Sequence, residues 1–285
     1  MSSETERIRW WAVELLRNGK HKHATVLALH CYKQSFSRCE TVELLENILL
    51  LGKCLCCQHM FTEALRCAQD AEEYVEDSSI GTEIAGEVFR AIGELYSSIG
   101  QALKAAECFR KHCLLIEEFC GPDHIRCSDG YTVLSCLLAK QGKFEEALEY
   151  GINALKIREE HFGDKNMHTA NSHYNVGLLY RSLGLLDMAR TQFSIAVEVR
   201  KLIFGIYSLP VAEIEVSFGF TQEQRGFYND AINRYDRAFR IRKKILGEAH
   251  EYTRAVHRML VRARTRSKAA NSSTDHPNED FLLTS

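Results

Sequence analysis

Between Asn171 and Gly205 apolar side chains return every three or four residues in two runs. Val176 and Tyr180 precede Gly184; Leu186, Ala189, Phe193 and Ala196 follow it. This is the spacing of one face of an α-helix. The window therefore predicts two amphipathic helices joined at Gly184, where a residue without a Cβ can take the left-handed conformation that ends a helix. Gly177, Ala189 and Ala196 are small at the positions where the two helices must touch.

The same pattern recurs along the chain. GKHKHA, HMFTEA, GQALKA, GKFEEA, GLLDMA and GFYNDA place alanines at 24, 64, 105, 147, 189 and 231, with spacings of 40, 41, 42, 42 and 42 residues. Twelve residues before the last five stand Gly52, Gly93, Ser135, Gly177 and Gly219. Seven residues after five of the alanines come Cys31, Ala71, Ala154, Ala196 and Ala238, with His112 the misfit. A fixed period of this length marks a repeat array whose units bury their apolar faces by stacking. The map places repeats at 5–35, 41–78, 82–120, 124–162, 166–204 and 208–247, followed by one helix at 249–266. Residues 1–4 and 267–285 are expected to be tails, the second polar and disordered.

A glycine, a tyrosine, the Gly-x-x-x-x-Ala turn and a second alanine, in this order, resemble the tetratricopeptide repeat (TPR), a helix–turn–helix unit that stacks into a solenoid. The 42-residue period, with phrases such as ALKIREEHFGDKN followed by SHYNVGLLY, is similar to the longer repeats of kinesin light chains. The proline that usually closes the shorter TPR unit is replaced by linkers such as FCGPDH, HFGDKN and LGEAHE. In the N-terminal half, GKHKHATVLAL, ETVELLENILLLGKCL and CGPDHIRCSDGY resemble the TPR portion of a MYND-zinc-finger axonemal protein, although that family's finger has no counterpart here. The resemblance implies an all-α TPR-like solenoid of about six repeats plus a C-terminal capping helix.

Composition changes this picture little. The chain has 285 residues, 45% of them hydrophobic and 26% charged, a formal net charge of −2, and only three prolines. The near-neutral balance gives no general case for nucleic-acid or membrane binding. The N-terminal MSSETERIRWW lacks the apolar core of a signal peptide, and the eleven cysteines are expected to be reduced thiols of a cytoplasmic chain. Nucleotide-binding, zincin and serine-hydrolase motifs are missing, so no catalytic residue, cofactor, metal or small-molecule substrate is expected. Cys54, Cys56 and Cys57, with His59 and Cys67 nearby, carry the one alternative of another class, a zinc- or thiol-dependent enzyme. On periodic helix they fit better as small apolar side chains. The basic runs RAFRIRKKI and RMLVRARTRSK read as a solvated helix face.

Stacked TPR units present their first helices along a concave surface. By repeat register the candidate groove residues are Arg90, Glu94, Asn171, Tyr174, Asn175, Leu178, Arg181, Val216 and Phe220, with Glu46, Leu49, Lys53, Glu87, Ser97, Glu213 and Glu223 on the same faces. The groove is expected to grade from acidic and polar to aromatic and aliphatic, with Tyr174, Leu178 and Phe220 as anchors. Resemblance to kinesin light chains implies that Asn175 bonds a peptide backbone. Glu87, Glu94, Thr132 and Cys136 replace the basic cluster that holds a C-terminal carboxylate in chaperone-binding TPR domains. The expectation is thus a non-catalytic scaffold binding a peptide or partner protein. The two resemblances imply a microtubule-based partner and a cytoskeletal place in a cilium or flagellar axoneme. A soluble kinesin-light-chain-like cargo adaptor is the alternative, although no heptad stretch for a coiled coil is present.

Overall fold

Glycine punctuation and apolar period together dictate the elements that form. In the computed structural model, which describes residues 4–38 and 41–274, the described residues form thirteen α-helices. They are α1 (Glu4–Arg17), α2 (His21–Arg38), α3 (Thr41–Cys57), α4 (Phe61–Asp77), α5 (Thr82–Ile99), α6 (Ala102–Cys120) and α7 (Ile125–Lys140). The rest are α8 (Phe144–Phe162), α9 (Met167–Ser182), α10 (Leu186–Phe204), α11 (Leu209–Gln224), α12 (Tyr228–Leu246) and α13 (Glu251–Thr274). No strand occurs among the described residues. Turns of two to four residues force successive helices to run antiparallel. Gly100, Gly142, Gly184 and Gly226 close the pairs in the left-handed region, and His59 holds the equivalent position at φ 60°.

The chain divides at Ile157 and Arg158, within α8, into two compact units. In the first, Leu45, Ile48, Ile92, Tyr96, Phe109, Ile116, Leu134 and Leu138 are fully or almost fully buried. In the second, Phe193, Phe218, Tyr235, Ile241, Val256 and Leu260 make one continuous core. The small residues of the period do what the spacing implied. A Cβ on Gly177 would come within 2.8 Å of the Phe193 ring, and one on Gly219 within 2.9 Å of the Tyr235 ring. Each unit is thus a stack of helix pairs with the TPR-like solenoid architecture.

Two expectations change, and a third gains detail. His112, large at a position where other repeats carry a small residue, is accommodated by Gly130 and bonded by the Gly86 carbonyl. A Cβ on Gly130 would lie 2.7 Å from its ring, and its Nδ1 sits 2.8 Å from the Gly86 carbonyl. Gly130 lies off the repeat period for that reason, whereas Gly86 shares its register with Ser128, Ala170 and Ala212 and makes room for Ile116. The last helix also runs to Thr274 rather than 266. Ser267 is half-buried and donates to Asn229 Oδ1 at 3.1 Å, and the alanines beyond it favour helix. The expected tails at 1–3 and 275–285 lie outside the described residues. Finally, Arg262 and Arg266 lie on the exposed basic face but are anchored there. Both are tied to Glu223 on α11, at 2.8 and 2.9 Å.

Candidate functional site

In the first unit, α3, α5 and α7 present the faces assigned to the groove. Their carboxylates are already engaged. Arg90 bonds Glu87 at 2.8 Å and also Glu94, Lys53 reaches Glu94 at 3.5 Å, and Arg126 reaches Glu83 at 2.7 Å and Glu87 at 3.1 Å. Arg9 and Glu46 pair in the same way between α1 and α3. Burial works against the Glu87 carboxylate, but the hydrogen bonds from Arg90 and Arg126 outweigh it and hold its pKa below the ordinary value. The acidic end expected from the sequence is therefore a neutralised ladder of ion pairs within α5 and between neighbouring first helices. Arg90 and Glu94 are members of that ladder rather than free recognition groups.

What the ladder frames is apolar. A cavity of about 440 Å³ opens on this face, lined by Leu49, Leu50, Ala91, Leu95 and Val133, with Phe109 also in its lining and Lys53, Glu94, Ser97 and Ser98 its polar members. Leu49, Lys53, Glu94 and Ser97 were placed on this face by register. Leu50, Ala91 and Val133 were not, because they meet only when successive first helices are brought side by side.

The first helices of the second unit are α9, α11 and α13. Tyr174 does not stand free. Its hydroxyl lies 3.1 Å from Ser217 Oγ, its ring packs 5.8 Å from that of Phe193, and the Arg200 guanidinium lies 5.0 Å above it. Burial pushes the Tyr174 phenol up from its ordinary pKa. Arg200 is itself buried and donates to Asn171 Oδ1 at 3.0 Å, Glu213 at 2.8 Å and the Pro210 carbonyl at 2.9 Å. Asn171 and Tyr174 are thus brought together by an arginine from the second helix of the pair. Leu178, Val216 and Phe220 are half-buried against the core. Arg181 lies 5.3 Å over the Phe220 ring, and burial lowers its pKa from the ordinary arginine value. Asn175, also half-buried, makes no hydrogen bond within the described residues. Asn175 and the Arg181–Phe220 pair are the members of the expected site left available to a partner.

Arg200 is the residue that sequence reasoning missed. Its signal was present, since Arg158, Arg200 and Arg242 stand 42 residues apart in IREEHFG, VRKLIFG and IRKKILG. Glu223, expected on the groove face, is instead sequestered by Arg262, Arg266 and Tyr235. The thiol alternative fares poorly on chemistry: burial pushes both Cys54 and Cys67 up to about 11, far from a reactive thiolate. Among the described residues no group of three His, Cys, Asp or Glu side chains is placed to hold a metal ion, and no helix is long and apolar enough to cross a membrane.

Comparison with known proteins agrees with this architecture. Family models of the tetratricopeptide repeat match residues 85–160, 134–202 and 223–252, together more than half of the chain. No curated protein matches in sequence. Among solved structures, BtubC (BKLC) from P. vanneervenii is 19% identical, with 86% of this chain and 94% of that one covered and a TM-score of 0.65. A Podosopora anserina protein assigned as a kinesin light chain with nearly identical TPR-like repeats is 12% identical, with 70% and 95% covered and a TM-score of 0.62. The apo form of RapI is 14% identical, with 95% and 74% covered and a TM-score of 0.71. At these identities the likeness concerns the fold, and none of these comparisons supports the resemblance to MYND-zinc-finger axonemal proteins. Period, helix pairing and family models converge: the chain is a tetratricopeptide-repeat protein.

Proposed function

We propose that this protein is a non-catalytic scaffold that receives an apolar side chain of a partner protein in the first-helix cavity of its first unit. The cavity framed by Leu49, Leu50, Ala91 and Val133 is the observation that carries this reading. Its walls are apolar and its polar rim is an ion pair, Lys53 with Glu94, already satisfied internally. An entering aliphatic or aromatic group thus loses water without stranding a charge, a gain of roughly 1.5–3 kcal/mol per buried side chain. Exchange of the Lys53–Glu94 pair onto polar groups of the partner would fix its register. In the second unit Asn175 and Arg181 offer a free amide and a partly desolvated cation to a second stretch of polypeptide.

We further propose a microtubule-based setting, the axoneme of a cilium or flagellum. The resemblance of the repeats to kinesin light chains and of the N-terminal phrases to an axonemal TPR protein supports it; a soluble cargo adaptor is the alternative. One experiment separates the two levels. Ala91→Phe fills the cavity from its own wall, and affinity purification from detergent-extracted ciliated cells compares it with the natural chain. Loss of a specific partner in the variant is expected. If every partner is retained, the cavity reading fails; if partners are lost but the protein is wholly soluble and brings down no axonemal component, only the axonemal setting fails.

A further inference from the structure

Three connections between successive repeats share one solution, and the α10–α11 connection departs from it; the α4–α5 connection, SSIG, ends in Gly81, which makes no side-chain cap bond either. GPDH at 121–124, GDKN at 163–166 and GEAH at 247–250 are polar, and each ends in a side chain that caps the next helix. His124 accepts from the Arg126 amide, Asn166 from His168 and His250 from Tyr252. The α10–α11 connection reads GIYS, and its Ser208 makes no side-chain cap bond. The register extends the contrast. Leu202 stands where the other repeats carry Glu118, Glu160 and Lys244; Ile206 where they carry Pro122, Asp164 and Glu248; Tyr207 where they carry Asp123, Lys165 and Ala249. Leu202 is 70% exposed, and Ile206 and Tyr207 are 63% exposed each. Three sister connections show that the fold needs no large apolar group at these places, and in this one the groups are turned out to water. Three exposed apolar side chains within six residues, without counterparts in those sister connections, are the mark of an interaction site.

Its surroundings are basic. Lys244 lies 5.0 Å over the Tyr207 ring and has no carboxylate within ion-pair distance among the described residues. From Tyr228 to Thr274 the chain carries twelve Lys and Arg against four Asp and Glu. Exposed carboxylates are nevertheless interspersed at the patch, where Glu198 pairs with Lys201 and Glu248 with Lys243, at 66% and 70% exposure. A bilayer of anionic lipid would repel these, whereas a polypeptide can set its own charges between them. We propose that Leu202, Ile206 and Tyr207 form a docking surface for an amphipathic helix of a partner protein, its apolar stripe on these three side chains and a flanking Asp or Glu against Lys244. The surface belongs to the repeat connections of the second unit and is separate from the first-helix faces considered above.

The test exploits the sister connections. A displayed library of helical 15-residue peptides is selected on the full chain and counter-selected on Leu202→Lys, Ile206→Glu, Tyr207→Ala. That variant carries the residues of the α12–α13 connection and leaves net charge unchanged. Circular dichroism should report the same helicity for both proteins. Enriched peptides should share an apolar i, i+3, i+4, i+7 stripe with an acidic flank, and lose at least tenfold in affinity on the triple variant. On Lys244→Glu they should lose severalfold, restored by placing Lys in the flank of the peptide. The proposal is overturned if no peptide prefers the natural chain or if the enriched flanks are basic. It is equally overturned if the patch instead drives self-association in sedimentation equilibrium or binding to phosphatidylserine vesicles, and the triple variant abolishes that behaviour.

Discussion

Glu223 offers the sharpest test of how the second unit is held together. Its carboxylate, 1% exposed at the end of α11, accepts four hydrogen bonds. Arg262 Nε and Arg266 Nη1 donate to Oε1 at 3.0 and 2.9 Å; Arg262 Nη2 and the Tyr235 hydroxyl donate to Oε2 at 2.8 and 2.9 Å. Glu223→Gln keeps the shape but sets an amide N–H₂ against donors. Hydrogen bonds to a charged group contribute roughly 1.5–3 kcal/mol each. Both arginines are about half exposed and can rehydrate, so most of that is recovered from water. The net expectation is a loss of about 1–2 kcal/mol, confined to the docking of α13 on α11 and α12.

Terminal elements of repeat arrays open locally, so amide hydrogen exchange is the suitable assay. A loss near 1.4 kcal/mol is a factor of ten in an opening equilibrium. Exchange across 256–266 should therefore accelerate about tenfold, while amides of α5 and α6 stay unchanged. The pH dependence adds a second check. Burial opposes ionisation of Glu223, but hydrogen bonds from Arg262 and Tyr235 and the charge of both arginines outweigh it, so its folded pKa lies below the ordinary 4.5. The natural chain thus keeps its advantage over the variant above pH 4.5 and loses it as pH falls through the lower folded value. Unchanged exchange in α13, or equal acceleration in both units, would refute the assignment of Glu223 as the lock on the last helix.

Other expectations follow from single sites. His59→Gly should stabilise the first unit by about 1 kcal/mol in urea denaturation, because a side chain is held at φ 60° where the other pairs carry glycine; a neutral or lower midpoint would show that its edge contact with Phe61 outweighs the strain. Burial lowers the pKa of His112 from 6.5, so the unfolded chain takes up its proton first as pH drops. Stability should accordingly fall as pH is lowered through 6.5 toward the folded value, and His112→Gln should flatten the difference between urea midpoints at pH 7.5 and 5.5. Alkylation mapped by mass spectrometry should mark exposed Cys57 and Cys136 first in the folded protein. Cys108, Cys113 and Cys127, all pushed up to about 12 chiefly by burial, should react only on unfolding, and early labelling of any of them would contradict the packing.

The fold was legible because stacking imposes the same demand on every unit. A small residue must recur wherever two helices touch, and a glycine wherever a pair turns, so Gly177, Ala189 and Gly184 can be read from spacing alone. His112 shows the limit of such reading: its bulk is offset by Gly130, which is not periodic. The site was less legible because helical spacing identifies the face a residue lies on but not the neighbours it meets there. Tyr174 lies on the expected face and is nevertheless consumed by Ser217 and Arg200. Glu87, Glu94 and Glu223 carry the expected charge and spend it inside the fold. Ala91 and Val133 gave no signal, since each is unremarkable on its own helix and lines a cavity only through its neighbours.

Arg158, Arg200 and Arg242 make the converse point. They are polar and regularly spaced, and Arg158 and Arg200 are buried where their donors bind the adjoining helices, so regularity here denotes structure even for charged residues. Function in such a chain is better sought where one copy breaks a rule that its sisters keep and the fold gains nothing by the break. Gly130 breaks the rule but is explained by His112. Leu202, Ile206 and Tyr207 break it and remain exposed, with a neighbouring lysine that has no carboxylate within ion-pair distance among the described residues. By that criterion the connection between α10 and α11 carries information that packing cannot account for, and a partner with a matching apolar stripe and an acidic flank supplies what packing does not.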